Sequence, residues 1–506
     1  MILTEPVARP TTDTRPARPP FAAWPVLAVA ATFLAVELAL AARYGFHRDE
    51  LYFLACARHL ALGYVDQPPL VPLSAWLSTA SLGSSAVAMR VAPALAAATA
   101  VVLSACLARE LGGQRRAQVF AALASATSLQ VLAAGHVLAT ATFELPLWAL
   151  ITWIALRLLR GSSPGWWLAL GVTGGIALEN KYNVVYLLVA LVVGAVAAGR
   201  GRLLLGRWPA AAAAIMLALW APNLVWNATH GWPAVAMLQS LHQENSTLGA
   251  SIGFIPSQLL VVGPFLAPVW LAGLRTLWRD ERGRVLALAY VALLVAYTLS
   301  GAKPYYLAGI YFVLFAAGGV WAERRLAGRP RAARALGAWL VAGAVVFAPL
   351  TLPVLPVSAM PTSSWESKIN KDLSATVGWR GMVRQLAAEA ATLPAGERAH
   401  LVVLTGDYGA AGAVDEFGAP YGLPHAISDH NSYWMWGPAG ARTGATTLAV
   451  NEHYGDLTRI FAHVTLVGSV ATPHGVWTEE RGDPIWLCRG QRITWQAAWP
   501  TLRHYG

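Results

Sequence analysis

Residues 22–43 read AAWPVLAVAATFLAVELALAAR, a stretch with only one acidic and one basic side chain, Glu37 and Arg43. A run of about 20 apolar residues is long enough to cross the roughly 30 Å hydrocarbon layer of a bilayer as a helix. Comparable runs recur through the first 355 residues and predict eleven transmembrane spans, within a range of ten to thirteen. The predicted spans lie at 22–43, 87–108, 117–135, 143–159, 166–179, 183–199, 209–226, 257–274, 285–300, 304–322 and 335–355.

The composition indicates the same class of protein. Of the 506 residues, 56% are hydrophobic and only 12% are charged, which is too apolar for a soluble protein of this size. The 37 Lys plus Arg exceed the 26 Asp plus Glu, but the basic residues are scattered between apolar runs, so no nucleic-acid partner is expected. The three cysteines lack metal or redox spacing. Residues 1–21 are predicted to be a disordered cytoplasmic tail.

Arginine positions predict the orientation of the helices, because cytoplasmic loops retain positive charge during insertion. With the N-terminus inside, twenty arginines before residue 356 fall in inner segments, and four fall in outer ones. An odd number of spans then places residues 356–506 outside the cytoplasm. The sequence therefore predicts a multi-pass protein of the cell membrane with an extracytoplasmic C-terminal region.

The C-terminal region differs from the rest in composition. Short β-rich runs at 401–405, 446–450 and 464–467, with a helical stretch near 382–392, predict a small α/β domain over 356–506. The expected architecture is thus mainly α: a polytopic helix bundle over 22–355, with an outer loop at 44–86, followed by this domain.

The outer loop at 44–86 carries the most informative polar residues. Asp49 and Glu50 open a short helix predicted to lie in the membrane interface. A carboxylate there can cap the helix and interact with its dipole, or it can act as a general base toward an acceptor hydroxyl. Asp66 and Gln67 precede two prolines, and Asp66 either caps that turn or binds an acceptor or a metal.

Lysine is rare, and its positions are a second indication of a site. The four lysines are Lys181, Lys303, Lys368 and Lys371, and the first two lie at predicted outer helix ends. Each of these two is followed by tyrosine: Tyr182 after Lys181, and Tyr305 and Tyr306 shortly after Lys303. Such residues can be interfacial anchors, and Glu179 can pair with Lys181. Together on one face they can also hold a lipid-linked phosphate.

Three further residues complete the predicted outer set. His136 and Glu144 flank one turn, and His230 opens another loop, so all three are candidates for an acceptor site or cavity lining. A lone histidine is more often structural than a ligand, and no fixed spacing establishes a metal site. No cofactor is therefore assigned, although a divalent ion stays open through Asp49, Glu50 or Asp66.

Several of these motifs resemble one family. The acidic pair Asp49-Glu50, the turn at 63–70, Asn180-Lys181-Tyr182, the run 230–233 and the run 303–306 are similar to those of the C-type membrane glycosyltransferases. That family uses polyprenyl-phosphate sugars and includes family 39, the protein O-mannosyltransferases and the aminoarabinose transferases. The resemblance covers roughly residues 24–355. It implies a C-type fold, Asp49 as base or acceptor-orienting carboxylate, and Lys181, Lys303 and neighbouring tyrosines as ligands of the donor phosphate.

The sequence thus predicts a hexosyl- or pentosyltransferase that moves a sugar, with inversion, from a polyprenyl phosphate to an envelope acceptor. The acceptor class, whether lipid, polysaccharide or protein, and the sugar, whether hexose, pentose or amino sugar, stay open. A transporter or flippase of a lipid-linked or envelope precursor is the alternative, but transporters often carry charges near mid-membrane and have repeated halves. An envelope assembly protein is a third reading, and it would tolerate loss of the Asp49 carboxylate.

Overall fold

A computed structural model describes residues 18–245, 248–367 and 371–506. Most of the predicted disordered tail and Lys368 lie outside these ranges. Within them, apolar runs form helices through the first 350 residues. The helices are α1 (Ala23–Leu40), α2 (Arg48–Arg58), α3 (Leu70–Leu82), α4 (Ala86–Glu110), α5 (Arg115–Ala126), α6 (Leu129–His136), α7 (Thr140–Leu159), α8 (Trp166–Leu178), α9 (Val184–Ala197), α10 (Arg207–Thr229), α11 (Pro233–Asn245), α12 (Leu248–Val262), α13 (Ala267–Arg279), α14 (Arg284–Ser300), α15 (Tyr311–Arg325) and α16 (Pro330–Phe347).

All eleven predicted spans coincide with helical segments, and the mainly α architecture is confirmed. Among the described residues, six segments are long and apolar enough to cross a membrane as single helices: α1, α4, α7, α10, α16, and the 3-10 helix Pro304–Ile310 together with α15. Two bent pairs, α5 with α6 and α12 with α13, raise this number to eight. The other three predicted spans correspond to shorter apolar helices of 13 to 17 residues. A count of eleven spans stays a prediction.

Close backbone contacts hold the bundle together where residues are small. A Cβ on Gly273 of α13 would come within 2.0 Å of the Leu314 carbonyl oxygen of α15, and a Cβ on Gly318 would meet the Val269 carbonyl oxygen at 2.3 Å. Helices can approach this closely only where side chains are absent. The α13–α15 pair therefore forms a tight seam in the bundle core, beside α5.

The C-terminal region contains helices α17 (Ser364–Ser367), α18 (Lys371–Ser374), α19 (Trp379–Ala391), α20 (Ala395–Arg398), α21 (Tyr408–Phe417), α22 (Asn431–Trp436), α23 (Tyr454–Ile460) and α24 (Trp495–Leu502). Its strands are β1 (Val402–Thr405), β2 (Ala426–Ser428), β3 (Thr447–Val450), β4 (Phe461–Ser469) and β5 (Pro484–Gln491).

These strands form one sheet in the order β2-β1-β3-β5-β4. Strands β2, β1 and β3 run parallel, whereas β5 is antiparallel to both β3 and β4. The predicted small α/β unit is confirmed: β1, β3, β4 and α19 lie where the sequence placed them. The strands β2 and β5 were not predicted.

The sheet region packs directly onto the outer loop. One hydrophobic cluster combines Leu51 and Phe53 of α2 with Ala411 and Val414 of α21. The two helices are so close that a Cβ on Gly412 would lie 2.7 Å from the Leu51 carbonyl carbon and oxygen. The first turn of α2 is therefore held between the helix bundle and the C-terminal region.

Candidate active site

The first turn of α2 is fixed by a reciprocal cap. The His47 ring accepts a hydrogen bond from the Asp49 N–H at 3.1 Å, and the Glu50 carboxylate accepts one from the His47 N–H at 2.8 Å. This arrangement satisfies N–H groups that a helix start leaves free. Consequently the two neighbouring acids point to different surroundings.

Glu50 faces the protein interior and has no exposed surface. Its carboxylate pairs with Arg90 of α4, whose Nε and Nη2 lie at 3.1 and 3.0 Å, and it also accepts the Leu138 N–H at 3.2 Å. Arg90 in turn donates to carbonyl groups of the chain that leads into α2. A buried carboxylate with this many partners has little capacity left for a substrate, and the geometry favours a structural role for Glu50.

Asp49 keeps 31% of its side chain exposed. Its Oδ1 accepts a hydrogen bond from the Tyr408 hydroxyl of α21 at 3.0 Å. Burial alone would raise the pKa of Asp49, but the charges of His47 and Arg48 lower it below its usual value. The Tyr408 hydrogen bond and the nearby Lys303 act in the same direction. Asp49 is therefore an ionised, partly accessible carboxylate at neutral pH.

Lys181 lies in the short connection between α8 and α9. Its ammonium is 3.2 Å from the Glu144 carboxylate of α7 and 4.2 Å from the centre of the Tyr306 ring. Burial alone would lower the pKa of Lys181, but Glu144 raises it above its usual value and Asp49 adds to the same effect. Glu144 is also bound by the Asn183 amide. Lys181 is thus charged, held in place, and electrostatically coupled to Asp49.

Lys303 precedes the 3-10 helix Pro304–Ile310 and is exposed. In the described part of the chain it has no ion pair or side-chain hydrogen bond, yet it lies close enough to Asp49 to lower the pKa of that carboxyl. Tyr305, two residues on, is within electrostatic range of Asp49 and Glu144 and lies 5.1 Å from the Lys181 ammonium. Both lysines and Tyr305 therefore lie within electrostatic range of the Asp49 carboxylate.

Asp66 lies within electrostatic range of Asp49. Its Oδ1 accepts from the Tyr52 hydroxyl at 2.7 Å, and that hydroxyl lies 2.7 Å from Ser432 of α22. Burial raises the pKa of Asp66 to about 6, although the Tyr52 hydrogen bond opposes the shift, and the negative charge of Asp49 adds to it. Gln67 is fully buried, and neither polar atom of its side chain has a partner among the described residues.

Three candidates lie apart from the lysine cluster. The Tyr182 hydroxyl bonds to Asn223 of α10 at 2.7 Å, and His136 pairs with Glu37 at 3.2 Å inside the bundle. His230 is exposed and stacks on Trp226 of its own helix, with ring centres 4.3 Å apart. These contacts favour structural roles for the three.

Sequence reasoning missed the contribution of the C-terminal region. Asp407 caps α21 by accepting the N–H groups of Gly409 and Ala410, which directs Tyr408 toward Asp49. The His430 ring nitrogen lies 3.6 Å from the Asp407 carboxylate, and its ring packs against Tyr408 at a tilt, with ring centres 4.7 Å apart. The sequence did contain an indication of this contribution. Asp407 and His430 follow soon after β1 and β2, and the carboxyl ends of parallel strands meet at one edge of a sheet.

Cationic groups dominate the surroundings of Asp49. No group of three or more His, Cys, Asp or Glu side chains among the described residues is arranged to hold an ion. Asp49 is instead surrounded by cationic groups and a phenol, which suits an anionic substrate.

A comparison with known structures identifies the fold. ArnT from Cupriavidus metallidurans bound to undecaprenyl phosphate aligns with a TM-score of 0.60 at 15% identity, over 95% of this chain and 98% of that one. Its apo form aligns with a TM-score of 0.59 at 16% identity and the same coverage. The chain has the C-type glycosyltransferase fold.

Sequence comparison agrees with this C-type fold over part of the chain. Residues 66–226 match the family model described as dolichyl-phosphate-mannose-protein mannosyltransferase. No curated protein matches the chain in sequence. The matched segment runs from the middle of the outer loop into α10, so it includes Asp66 and Lys181 but neither Asp49 nor Lys303.

Proposed function

We propose that this protein is a membrane glycosyltransferase that moves a sugar from a polyprenyl phosphate to a hydroxyl of an envelope acceptor. One observation carries the proposal: an ionised, partly exposed carboxylate, Asp49, lies in electrostatic range of two lysines from distant parts of the chain. A general base needs an accessible carboxylate, and a departing phosphate needs fixed positive charge. The cluster brings these two requirements together.

The donor phosphate would bind between Lys181 and Lys303. Lys181 is held by Glu144, whereas Lys303 is exposed and has no side-chain partner among the described residues, so it is available to an anion. The Tyr305 and Tyr306 hydroxyls would supply further hydrogen bonds. The similarity to ArnT, a protein solved with undecaprenyl phosphate, supports a polyprenyl carrier.

The reaction is a single displacement at the anomeric carbon. The acceptor oxygen forms a bond to that carbon as the bond to the phosphate oxygen breaks, and Asp49 takes the proton of the acceptor hydroxyl. The leaving lipid phosphate keeps the electron pair of the broken bond, and the lysine ammonium groups stabilise its charge. Inversion follows from one displacement.

The acceptor would approach from the side of the C-terminal region. Tyr408 reaches Asp49 from this region, and Ser432 contacts the Tyr52 hydroxyl that holds Asp66. We assign residues 356–506 to a domain that shapes acceptor access, and residues 22–355 to the transferase bundle. The chemistry suits a hydroxyl of a lipid, glycan or protein as the acceptor. It equally suits a hexose, a pentose or an amino sugar as the transferred group.

The proposed site belongs on the extracytoplasmic face of the cell membrane, with the N-terminus in the cytoplasm. The asymmetry of arginine supports this orientation: the arginine-rich helix ends lie opposite Asp49. A lipid carrier also partitions into the membrane by itself, so the site requires no nucleotide-binding loop.

Replacing Asp49 by Asn tests the proposal. The variant keeps the shape of the side chain but cannot take a proton, so transfer from a defined polyprenyl-phosphate sugar in proteoliposomes should fall by about 10²–10⁴-fold. Asp456→Asn is the matched control, because Asp456 is a surface acid paired with Arg459 at 2.8 Å. Full activity of the Asp49 variant, with folding unchanged, would remove the assignment of the base.

A further inference from the structure

A second polar site lies at the other end of the helix bundle. A cavity of about 600 Å³ opens there between α7, α13 and α15. Its volume falls in the range of small-molecule sites, about 300–1,000 Å³. The residues relevant to binding are Arg160, Arg279, Asp280, Trp321, Arg324 and Arg325.

This cavity is separated from the candidate active site by the thickness of the bundle. Helix α7 carries Glu144, the partner of Lys181, in its first turns, and it ends next to Arg160. Its 20 residues span about 30 Å at 1.5 Å per residue. Helix α15 likewise starts after the Lys303 segment and ends at Arg325. The cavity therefore lies near the membrane surface predicted to face the cytoplasm.

Its positive charge is largely uncompensated. Asp280 is engaged by Arg160 at 3.4 Å and by the Gly283 N–H at 2.9 Å. In the part of the chain that the structure describes, Arg279, Arg324 and Arg325 have no ion pair with an acidic side chain. Three guanidinium groups from two helices thus face one concave space.

Neighbouring acids do not neutralise these groups. Glu323 accepts the N–H groups at the start of α5, from Gln114, Arg116 and Ala117. Glu281 is paired with Arg200 at 3.7 Å. Buried Glu110 is paired with Arg18 at 2.9 Å. The cavity can therefore hold an anion, while its one carboxylate is already engaged, so it offers binding without a free base.

We propose that this cavity binds the phosphate headgroup of an anionic membrane lipid. Guanidinium groups recognise phosphate oxygens through paired hydrogen bonds. The wall beside them is apolar, formed by Leu277, Val320 and Trp321, which suits the glycerol and upper acyl segments of a lipid. Basic pockets between helices on the cytoplasmic side have this recognition chemistry. The site differs from the proposed active site in position and in residues.

The test measures lipid binding to the delipidated full-length protein in detergent by native mass spectrometry, with phosphatidylglycerol as the probe. Arg324→Gln with Arg325→Gln should weaken phosphatidylglycerol binding about tenfold, which corresponds to about 1.4 kcal/mol. Arg331→Gln with Arg334→Gln is the matched control, since both residues are exposed on α16 at the same end of the bundle and do not line the cavity. The control should change binding less than about twofold, within the scatter of surface charge effects.

Three results would overturn the proposal. Equal weakening in both double variants would indicate general attraction to a basic surface, and equal binding of phosphatidylcholine would exclude headgroup recognition. Binding of millimolar inorganic phosphate alone, at the same level as the lipid, would indicate a site for a free anion. Should the double variant not fold, the single variant Arg279→Gln serves instead, since Arg279 is an exposed residue at the end of α13, and the same direction is expected. Because lipid binding is measured without turnover, the outcome is independent of the proposed transferase activity.

Discussion

The two ends of the helix bundle are both basic, but they differ in what accompanies the positive charge. At the outer end Lys181 and Lys303 lie within electrostatic range of Asp49, a carboxylate that is ionised and partly exposed. At the opposite end four arginines line a cavity, and its one lining acid, Asp280, is already paired with Arg160. We propose a phosphate at both ends, but among the described residues the outer end also offers a free proton acceptor, Asp49.

The difference between the two ends shows what phosphate binding requires and what transfer requires in addition. A phosphate site needs fixed positive charge, whereas transfer also needs a base within reach of the acceptor. The same distinction recurs within α2: Asp49 is available, and its neighbour Glu50 is committed to Arg90. Variants that separate these roles test the account.

The largest effect is expected from Glu50→Ala, which leaves the buried Arg90 charge without its partner. Breaking a buried ion pair from one side costs about 3–5 kcal/mol. We expect a lower thermal transition of the purified protein and loss of the α2 cap. Asp49→Asn is the control. Because Asp49 is partly exposed, this substitution should leave the thermal transition nearly unchanged. A stable, inactive Glu50 variant would instead indicate a catalytic role for Glu50.

A smaller effect is expected from Lys303→Gln. Because this lysine has no side-chain partner among the described residues, its loss should weaken donor binding rather than folding. We expect the KM for the polyprenyl-phosphate sugar to rise about tenfold, equivalent to about 1.4 kcal/mol, with the acceptor KM unchanged. Lys371→Gln is the matched control, because Lys371 is paired with Glu479 at 2.5 Å. An unchanged donor KM would identify Lys303 as an interfacial anchor only.

Tyr408→Phe should act mainly on the pH dependence of transfer. The Tyr408 hydroxyl helps to lower the pKa of Asp49, so its removal raises that pKa and moves the acid limb of the rate profile to higher pH. The shift should be at most about one unit, equivalent to about 1.4 kcal/mol, with little change at neutral pH where Asp49 stays ionised. A uniform rate loss at every pH would instead indicate a packing role.

The smallest effect is expected at the opposite end. The double variant Arg324→Gln with Arg325→Gln should keep transfer within about twofold in proteoliposomes of fixed lipid composition, because these surface charges lie at the opposite end of the bundle from the Lys181 and Lys303 segments. A large loss of transfer would couple the two ends and contradict their separation.

Much of this architecture follows from local sequence. Apolar runs specify the bundle helices because a bilayer requires about 20 apolar residues per crossing. The runs at 401–405 and 446–450 became β1 and β3 because they are short, β-rich and followed by turn residues. The convergence of Asp49 with Lys181 and Lys303 was also expected, because all three were placed at helix ends on one face.

Other features depend on tertiary contacts that no local pattern contains. Asp49 and Glu50 are adjacent and chemically alike, and only the position of Arg90 on α4 separates their roles. Tyr408 lies 359 positions from Asp49 in the chain, and its contact exists because Gly412 lets α21 approach α2. His136, Tyr182 and His230 carried the same polar signal as the cluster residues, but their partners Glu37, Asn223 and Trp226 direct them elsewhere.

The central claim is tested most directly by a cryo-electron microscopy structure of the full chain with a polyprenyl phosphate bound. We predict phosphate density between the Lys181 and Lys303 ammonium groups, on the side that faces the Asp49 carboxylate. Lipid phosphate bound elsewhere, with the space beside these lysines unoccupied, would contradict it.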